Sequence, residues 1–274
     1  MRIIGAVALA HLINDLIQAV LPSIYPLLKA KYDLTFTQIG LITLTFQLTA
    51  SLLQPWVGYY TDRHPNPLLL PAGMVCTLVG ILMLSAVGSF PLILLAAALV
   101  GVGSSTFHPE ASRVARLASG GRYGLAQSTF QVGGNAGSAF GPLLAAAIII
   151  PFGQGNVAWF GLFALFAIGL LYVISRWYRN HLNLFKLKAG QKASHGLSKQ
   201  RVLGALVVLG LLVFSKYFYM ASLTSYYTFF LIEKFDVSIA SSQLYLFLFL
   251  GAVAAGTFFG GPIGDRIGRK AVIW

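Results

Sequence analysis

Near the start of the chain, His11, Asn14, Asp15 and Gln18 fall at the i, i+3, i+4 and i+7 positions of a helix in an otherwise apolar stretch. That spacing gathers an imidazole, a carboxylate and two amides on one face. A face of this kind cannot look at hydrocarbon, so it turns to protein or to a water-filled cavity, where ionisable groups carry ions or protons. His11 and Asp15 are therefore candidates for taking up a coupled proton, since histidine titrates near neutral pH. A hydrogen-bond network between helices that never titrates is the alternative.

Three further groupings have the residue types to meet a substrate. His108-Pro109-Glu110 is followed by Arg113. Pro109 has no N–H to give the carbonyl of Ser105, so the helix is expected to kink or fray there. His108 and Arg113 are candidates for holding an anion, and Glu110 for exchanging a proton or pairing with Arg113. The bland alternative is a helix exit with a salt bridge at the headgroups. Gln131 and Asn135 belong to a polar stripe, while Gly133, Gly137 and Gly141 recur every fourth residue before Pro142 and permit close helix packing. Lys216, Tyr219 and Tyr227 lie near one face of a later apolar stretch, where a lysine inside a span needs a partner, an anionic substrate or Asp15, unless it snorkels to the interface.

The elements that must position these groups follow from composition. Of 274 residues, 57% are hydrophobic and only 9% charged, far from the balance of soluble domains. The apolar residues gather into about eight stretches of membrane-spanning length, near 3–28, 36–60, 68–88, 91–110, 124–150, 157–176, 202–231 and 239–263. The expected fold class is an all-α membrane protein, with a first bundle at 1–176, a polar linker at 177–200 and an incomplete second bundle at 201–274. The net charge of +12 is an orientation signal rather than a nucleic-acid footprint. Arg2, Arg63, Arg116, Arg122, Arg179, Lys192 and Arg269 fall on one side, and only Lys29, Lys31 and Lys234 on the other, which places the N-terminus in the cytoplasm. The single cysteine, Cys76, excludes disulfide frameworks. Nucleotide-binding, zinc-hydrolase and serine-hydrolase motifs are not found, so no enzyme, no cofactor and no metal site is expected, and an ion gradient must supply energy.

The chain also repeats itself. Lys31-Tyr32-Asp33-Leu34-Thr35 returns as Lys234-Phe235-Asp236-Val237-Ser238, and Gly58-x-x-x-Asp62-Arg63 returns as Gly261-x-x-x-Asp265-Arg266, with the same separation in both copies. Parallel repeats of six helices about an axis normal to the membrane would need roughly 400 residues, so about four helices are expected beyond Trp274. Gly58, Asp62, Arg63, Gly261, Asp265 and Arg266 are candidates for a cytoplasmic gate, with Gly58 allowing close helix approach; a capped polar turn is the alternative.

These motifs, with Gly103-Ser104-Ser105-Thr106-Phe107-His108-Pro109-Glu110 and Phe130-Gln131-Val132-Gly133-Gly134-Asn135, resemble the major facilitator superfamily, and within it the fosmidomycin resistance branch. The stretch Gly137-Ser138-Ala139-Phe140-Gly141-Pro142 is similar to the superfamily's antiporter motif. The resemblance implies a multi-pass protein of the bacterial inner membrane that exports small anionic drugs in exchange for protons; a monomer is expected. Uptake or exchange of organic or phosphorylated anions, or a sensor that transports nothing, are the other readings.

Overall fold

The computed structural model describes residues 2–189 and 198–268, and their side chains apart from 183–189, 261–262 and 264–267. The described residues fold into helices. In chain order they are α1 (Arg2–Ser23), α2 (Tyr25–Tyr32), α3 (Phe36–Gln47), α4 (Leu53–Arg63), α5 (Leu69–Ala86), α6 (Phe90–Ala118), α7 (Tyr123–Leu144), α8 (Ile150–Phe152), α9 (Phe160–Ala189), α10 (Lys199–Phe235) and α11 (Ile239–Ile267). Joined across short π and 3-10 turns, they form 8 stretches long and apolar enough to cross a membrane, from Arg2–Tyr32 to Ile239–Gly260. The chain is a multi-pass membrane protein.

The sequence repeat is a repeat of local physics. Asp33 ends α2 and Asp236 ends α10, both left-handed, at φ 49° and 52°. Aspartate tolerates that conformation better than bulkier residues. Each is followed at once by a helix start with a hydroxyl cap. Thr35 Oγ1 accepts from the Gln38 N–H, while Gln38 Oε1 accepts from the Thr35 N–H at 2.8 Å. Ser238 Oγ accepts from the Ser241 N–H at 3.1 Å. The two signatures thus build the same reversal at the same end of each bundle.

Two boundaries differ from expectation. Helix α6 does not end near residue 110 but runs through Pro109 to Ala118, because Val114 and Ala115 are still fully buried and hold the last turns in the core. Helix α9 continues past 176 to Ala189, as Tyr178 is buried and Trp177 stacks on His181 at 4.3 Å. The expected linker is correspondingly shortened, and Lys192 lies outside the described residues.

One core runs through the first six spans, with α1 packed on α7, α5 on α6 and α9, and α6 on α3 and α4. Helix α11 packs along α7, whereas α10 touches mainly α11, α1 and α2. The two parts meet most closely at the end that holds the Asp33 and Asp236 reversals. There Gln243 Nε2 donates to the Ser23 carbonyl at 2.8 Å, Thr43 and Ser225 share a hydrogen bond at 3.3 Å, and Phe36 meets Phe229 edge-on at 5.3 Å. Towards the opposite, arginine-rich end, the described side chains of α10 from Leu203 to Tyr219 are all exposed.

Candidate functional site

A cavity of about 570 Å³ lies between the first bundle and α10–α11, lined by α1, α3, α4, α6, α7, α10 and α11. The Tyr25–Thr43–Ser225 hydrogen bonds cross between the two parts at one end of it, and its wall continues towards the arginine-rich end through Gln47, Ser51 and Gln54. His11, Asp15, His108, Gln131 and Asn135 all face it. The acid–base groups on its described wall are His11, Asp15 and His108, besides the phenols of Tyr25 and Tyr217.

These three come from two helices and form one cluster. His11 Nε2 lies 3.2 Å from Asp15 Oδ2, and His108 Nε2 lies 3.4 Å from Asp15 Oδ1. The other ring nitrogens are committed. His11 Nδ1 meets the Phe130 carbonyl at 2.7 Å and His108 Nδ1 meets the Ser104 carbonyl at 2.9 Å. A carbonyl oxygen only accepts, so both Nδ1 atoms must carry the proton. In the neutral rings, both Nε2 atoms then present bare lone pairs to the same carboxylate. Acceptor would then face acceptor on each side of Asp15, so each contact calls for a proton on Nε2 or another cation between the two atoms. Asn14 Nδ2 donates to Asp15 Oδ1 at 3.0 Å and Gln18 Nε2 reaches it at 3.5 Å, which supports the ionised carboxylate.

Helix α7 makes this possible by coming very close. A Cβ on Gly137 would lie 2.0 Å from the Leu12 carbonyl, and Gly141 faces Ala19 of α1 in the same way, just before Pro142. One turn before them, Gly134 leaves room for the cluster itself: a Cβ there would meet His11 Nε2 at 2.4 Å and Asp15 Oδ2 at 2.7 Å. Beside it Gln131 Nε2 donates to Asn135 Oδ1 at 3.4 Å, and Asn135 Nδ2 donates across to Thr257 Oγ1 of α11 at 2.8 Å.

Other expected site residues lie elsewhere. Glu110 is fully buried and pairs with Arg113, which also bonds Asp62 and the Thr61 hydroxyl at 3.0 Å and lies against Tyr178. Arg113 and Glu110 thus tie α6 to α4 and α9, on the side away from the cavity. Five residues of helix separate His108 from Arg113 by more than a third of a turn, so the two do not converge on one anion. Asp62 finds its partner in Arg113, while Arg63 lies over the Tyr59 ring at 3.7 Å. Gly58 is not a tight contact: a Cβ would sit 3.8 Å from Pro109. Gly261, Asp265 and Arg266 fall in the last turns of α11, and the side chains of the latter two are outside those described. Lys216 and Tyr219 are exposed, with Lys216 over the Tyr217 ring at 5.3 Å, and Tyr227 packs beside Leu246 and Leu250. The cavity face of α10 is instead Tyr217, Met220, Ala221, Thr224 and Ser225. The helical phase that looked plausible from Lys216 is off by one residue, or about 100°. Tyr217, Thr43, Gln47 and Gln54 carry no signal in the sequence that marks them as cavity residues; Gly134 does, as the second of two consecutive glycines inside a polar-striped helix.

The family model of the Major Facilitator Superfamily matches residues 7–274. The chain is 61% identical over 272 residues to the fosmidomycin resistance protein of Escherichia coli (strain K12), covering 99% of this chain and 67% of that protein. It is 41% identical over 270 residues to an uncharacterized MFS-type transporter, YfnC, of Bacillus subtilis (strain 168), covering 97% of this chain and 66% of the relative. The chain spans about two thirds of the length of these relatives. Among solved structures, it is similar to a bacterial homologue of the human lysosomal transporter Spinster in an inward-facing and occupied conformation, with a TM-score of 0.72 at 17% identity, covering 97% of this chain and 61% of that one. The unoccupied form of that protein gives 0.67 at 16% identity, covering 98% and 63%. At such identities the likeness concerns the fold.

Proposed function

The chain belongs to the major facilitator superfamily, and from that premise we propose that it forms the greater part of a secondary transporter that exports small anionic drugs such as fosmidomycin in exchange for protons. The observation that carries this reading is the pair of histidine Nε2 atoms facing one carboxylate on the wall of a cavity between two bundles. A neutral Nε2 can accept a hydroxyl of the drug or take a proton, and cannot do both. That exclusion is what exchange requires. The amides of Gln131 and Asn135 offer donors to anionic oxygens. The 61% identity to the fosmidomycin resistance protein supports the drug class.

In this reading the arginine-rich end is cytoplasmic, the membrane is the bacterial plasma membrane, and the cavity faces inward as drawn. The first bundle (1–176) and the bundle that begins near 201 rock about the cluster. The Glu110–Arg113–Asp62 network fastens the cytoplasmic ends of α4 and α6. The proton gradient is the energy source, with no cofactor and no nucleic acid involved, and a monomer suffices.

The test is fosmidomycin accumulation in cells expressing the chain, alone and completed with the C-terminal third of the Escherichia coli relative. Lower accumulation with the completed chain, lost on adding a protonophore or on Asp15→Asn, supports the proposal. Lower accumulation that is indifferent to the protonophore sinks proton exchange, and unchanged accumulation sinks drug export, leaving uptake of anions or a sensor role.

A further inference from the structure

We propose that His11, Asp15 and His108 also form a binding site for a transition-metal ion of the zinc or cobalt kind, which enters from the cavity and sits between the two Nε2 atoms and the carboxylate. The ligand atoms of the three lie within 4.8 Å of one another. A tetrahedral centre with bonds of about 2.0–2.2 Å sets its ligands roughly 3.4 Å apart. The two histidine-to-carboxylate separations, 3.2 Å to Oδ2 and 3.4 Å to Oδ1, are close to that span, one on each oxygen.

Three features go beyond proximity. First, each histidine donates its Nδ1–H to a backbone carbonyl, of Phe130 and of Ser104; this outer tie fixes a metal-binding imidazole in the tautomer that leaves Nε2 free. Second, His11 is only 2% exposed, and its Nε2 has no partner besides the Asp15 carboxylate at 3.2 Å. With Nδ1 given to the Phe130 carbonyl, that Nε2 and the carboxylate can be joined only through a proton or a metal ion between them. Third, Asp15 and His108 keep partial access to the cavity at 18% and 25% exposure, so an ion has an entry path and its remaining coordination position faces open space. Two imidazoles and one carboxylate suit borderline divalent ions and not the hard, oxygen-seeking ones. A bound ion holds the same Nε2 atoms and carboxylate that a proton or drug hydroxyl would use, so it acts as an inhibitor of the cycle.

The experiment uses the tag-free, purified 274-residue chain in detergent, titrated with Co²⁺ and followed by visible absorption, with Zn²⁺ added afterwards and Mg²⁺ as comparison. The expected result is a tetrahedral d–d band that saturates at one ion per chain, is erased by Zn²⁺ and is untouched by Mg²⁺. His108→Gln and Asp15→Asn should each weaken Co²⁺ binding at least tenfold, whereas His64→Gln, on the surface, should leave it unchanged. No saturable band overturns the proposal, as does a band that survives His108→Gln and Asp15→Asn or that disappears with His64→Gln. Circular dichroism of the variants separates lost ligands from lost fold. Because the readout is binding, its failure leaves drug export standing, and failed drug export leaves it standing.

Discussion

Gly134→Ala isolates the geometry of the cluster from the stability of the bundle. The added methyl would lie 2.4 Å from Cε1 and Nε2 of His11 and 2.7 Å from Asp15 Oδ2, distances that real Cβ atoms essentially never show. Something must move. The His11 ring is held by the Phe130 carbonyl at 2.7 Å and stacked on the Phe130 ring at 4.0 Å, so displacing it breaks one tie or the other. Overpacking of this sort costs about 1–3 kcal/mol, while alanine in place of glycine within a helix recovers roughly 0.5–1 kcal/mol. The chain should therefore stay folded, with Tm down by no more than a few degrees. The strain falls on side chains and not on backbone, so the cluster loses its arrangement. At ~1.4 kcal/mol per decade, a cluster misplaced at a cost of 1–3 kcal/mol weakens by about 5–150-fold, and drug efflux by the completed chain should fall by at least about fivefold.

Two glycine variants bracket that result. Gly137→Ala would drive its methyl to 2.0 Å from the Leu12 carbonyl, a backbone atom that cannot swing aside, and should lower Tm far more. Gly5→Ala meets nothing within 4 Å and should be neutral or slightly stabilising in both assays. The measurements are thermal unfolding in detergent and fosmidomycin efflux on the same three variants. Wild-type efflux from Gly134→Ala would refute the claim that His11 and Asp15 act as a positioned pair. A Gly137→Ala protein as stable as wild type would refute the close packing of α1 on α7.

Arg113→Met leaves the fully buried Glu110 without its cation and should cost about 3–5 kcal/mol; Glu110→Gln in the same chain should restore much of it, and Tm of the single and double variants reads this. Gln154 accepts from Lys31 and Tyr32 and donates to the Leu84 carbonyl, each at 2.8 Å. Gln154→Leu should therefore destabilise by about 1–3 kcal/mol through the groups it orphans, measurable as lost thermal stability. In a Cys76→Ser background, a cysteine at Ser51 should react readily with a water-soluble maleimide added from the arginine-rich side, and one at Ser225, which is 3% exposed, should be protected. Equal labelling of both would contradict closure at the Asp33 and Asp236 end.

The sequence by itself determined the architecture. Apolar stretches of spanning length admit only helices, because hydrocarbon leaves no other partner for backbone N–H and C=O groups. The two aspartate reversals each carry their own cap, so they were legible as a repeat before any packing was known. The α1 face was legible too: the His11, Asn14, Asp15 and Gln18 spacing is a property of one helix. What only the tertiary structure decided is which residues of different helices meet. His108 joins His11 and Asp15 across α1 and α6, whereas Arg113, on the same helix, turns the other way to Asp62. Helical phase relative to neighbours is set by packing, and an error of one residue turns a side chain by about 100°. That is why Lys216 drew attention and Tyr217 faces the cavity. The Nδ1 protons are likewise a tertiary fact: only the Phe130 and Ser104 carbonyls, one of them on another helix, hold them in place and leave both Nε2 atoms aimed at a single carboxylate.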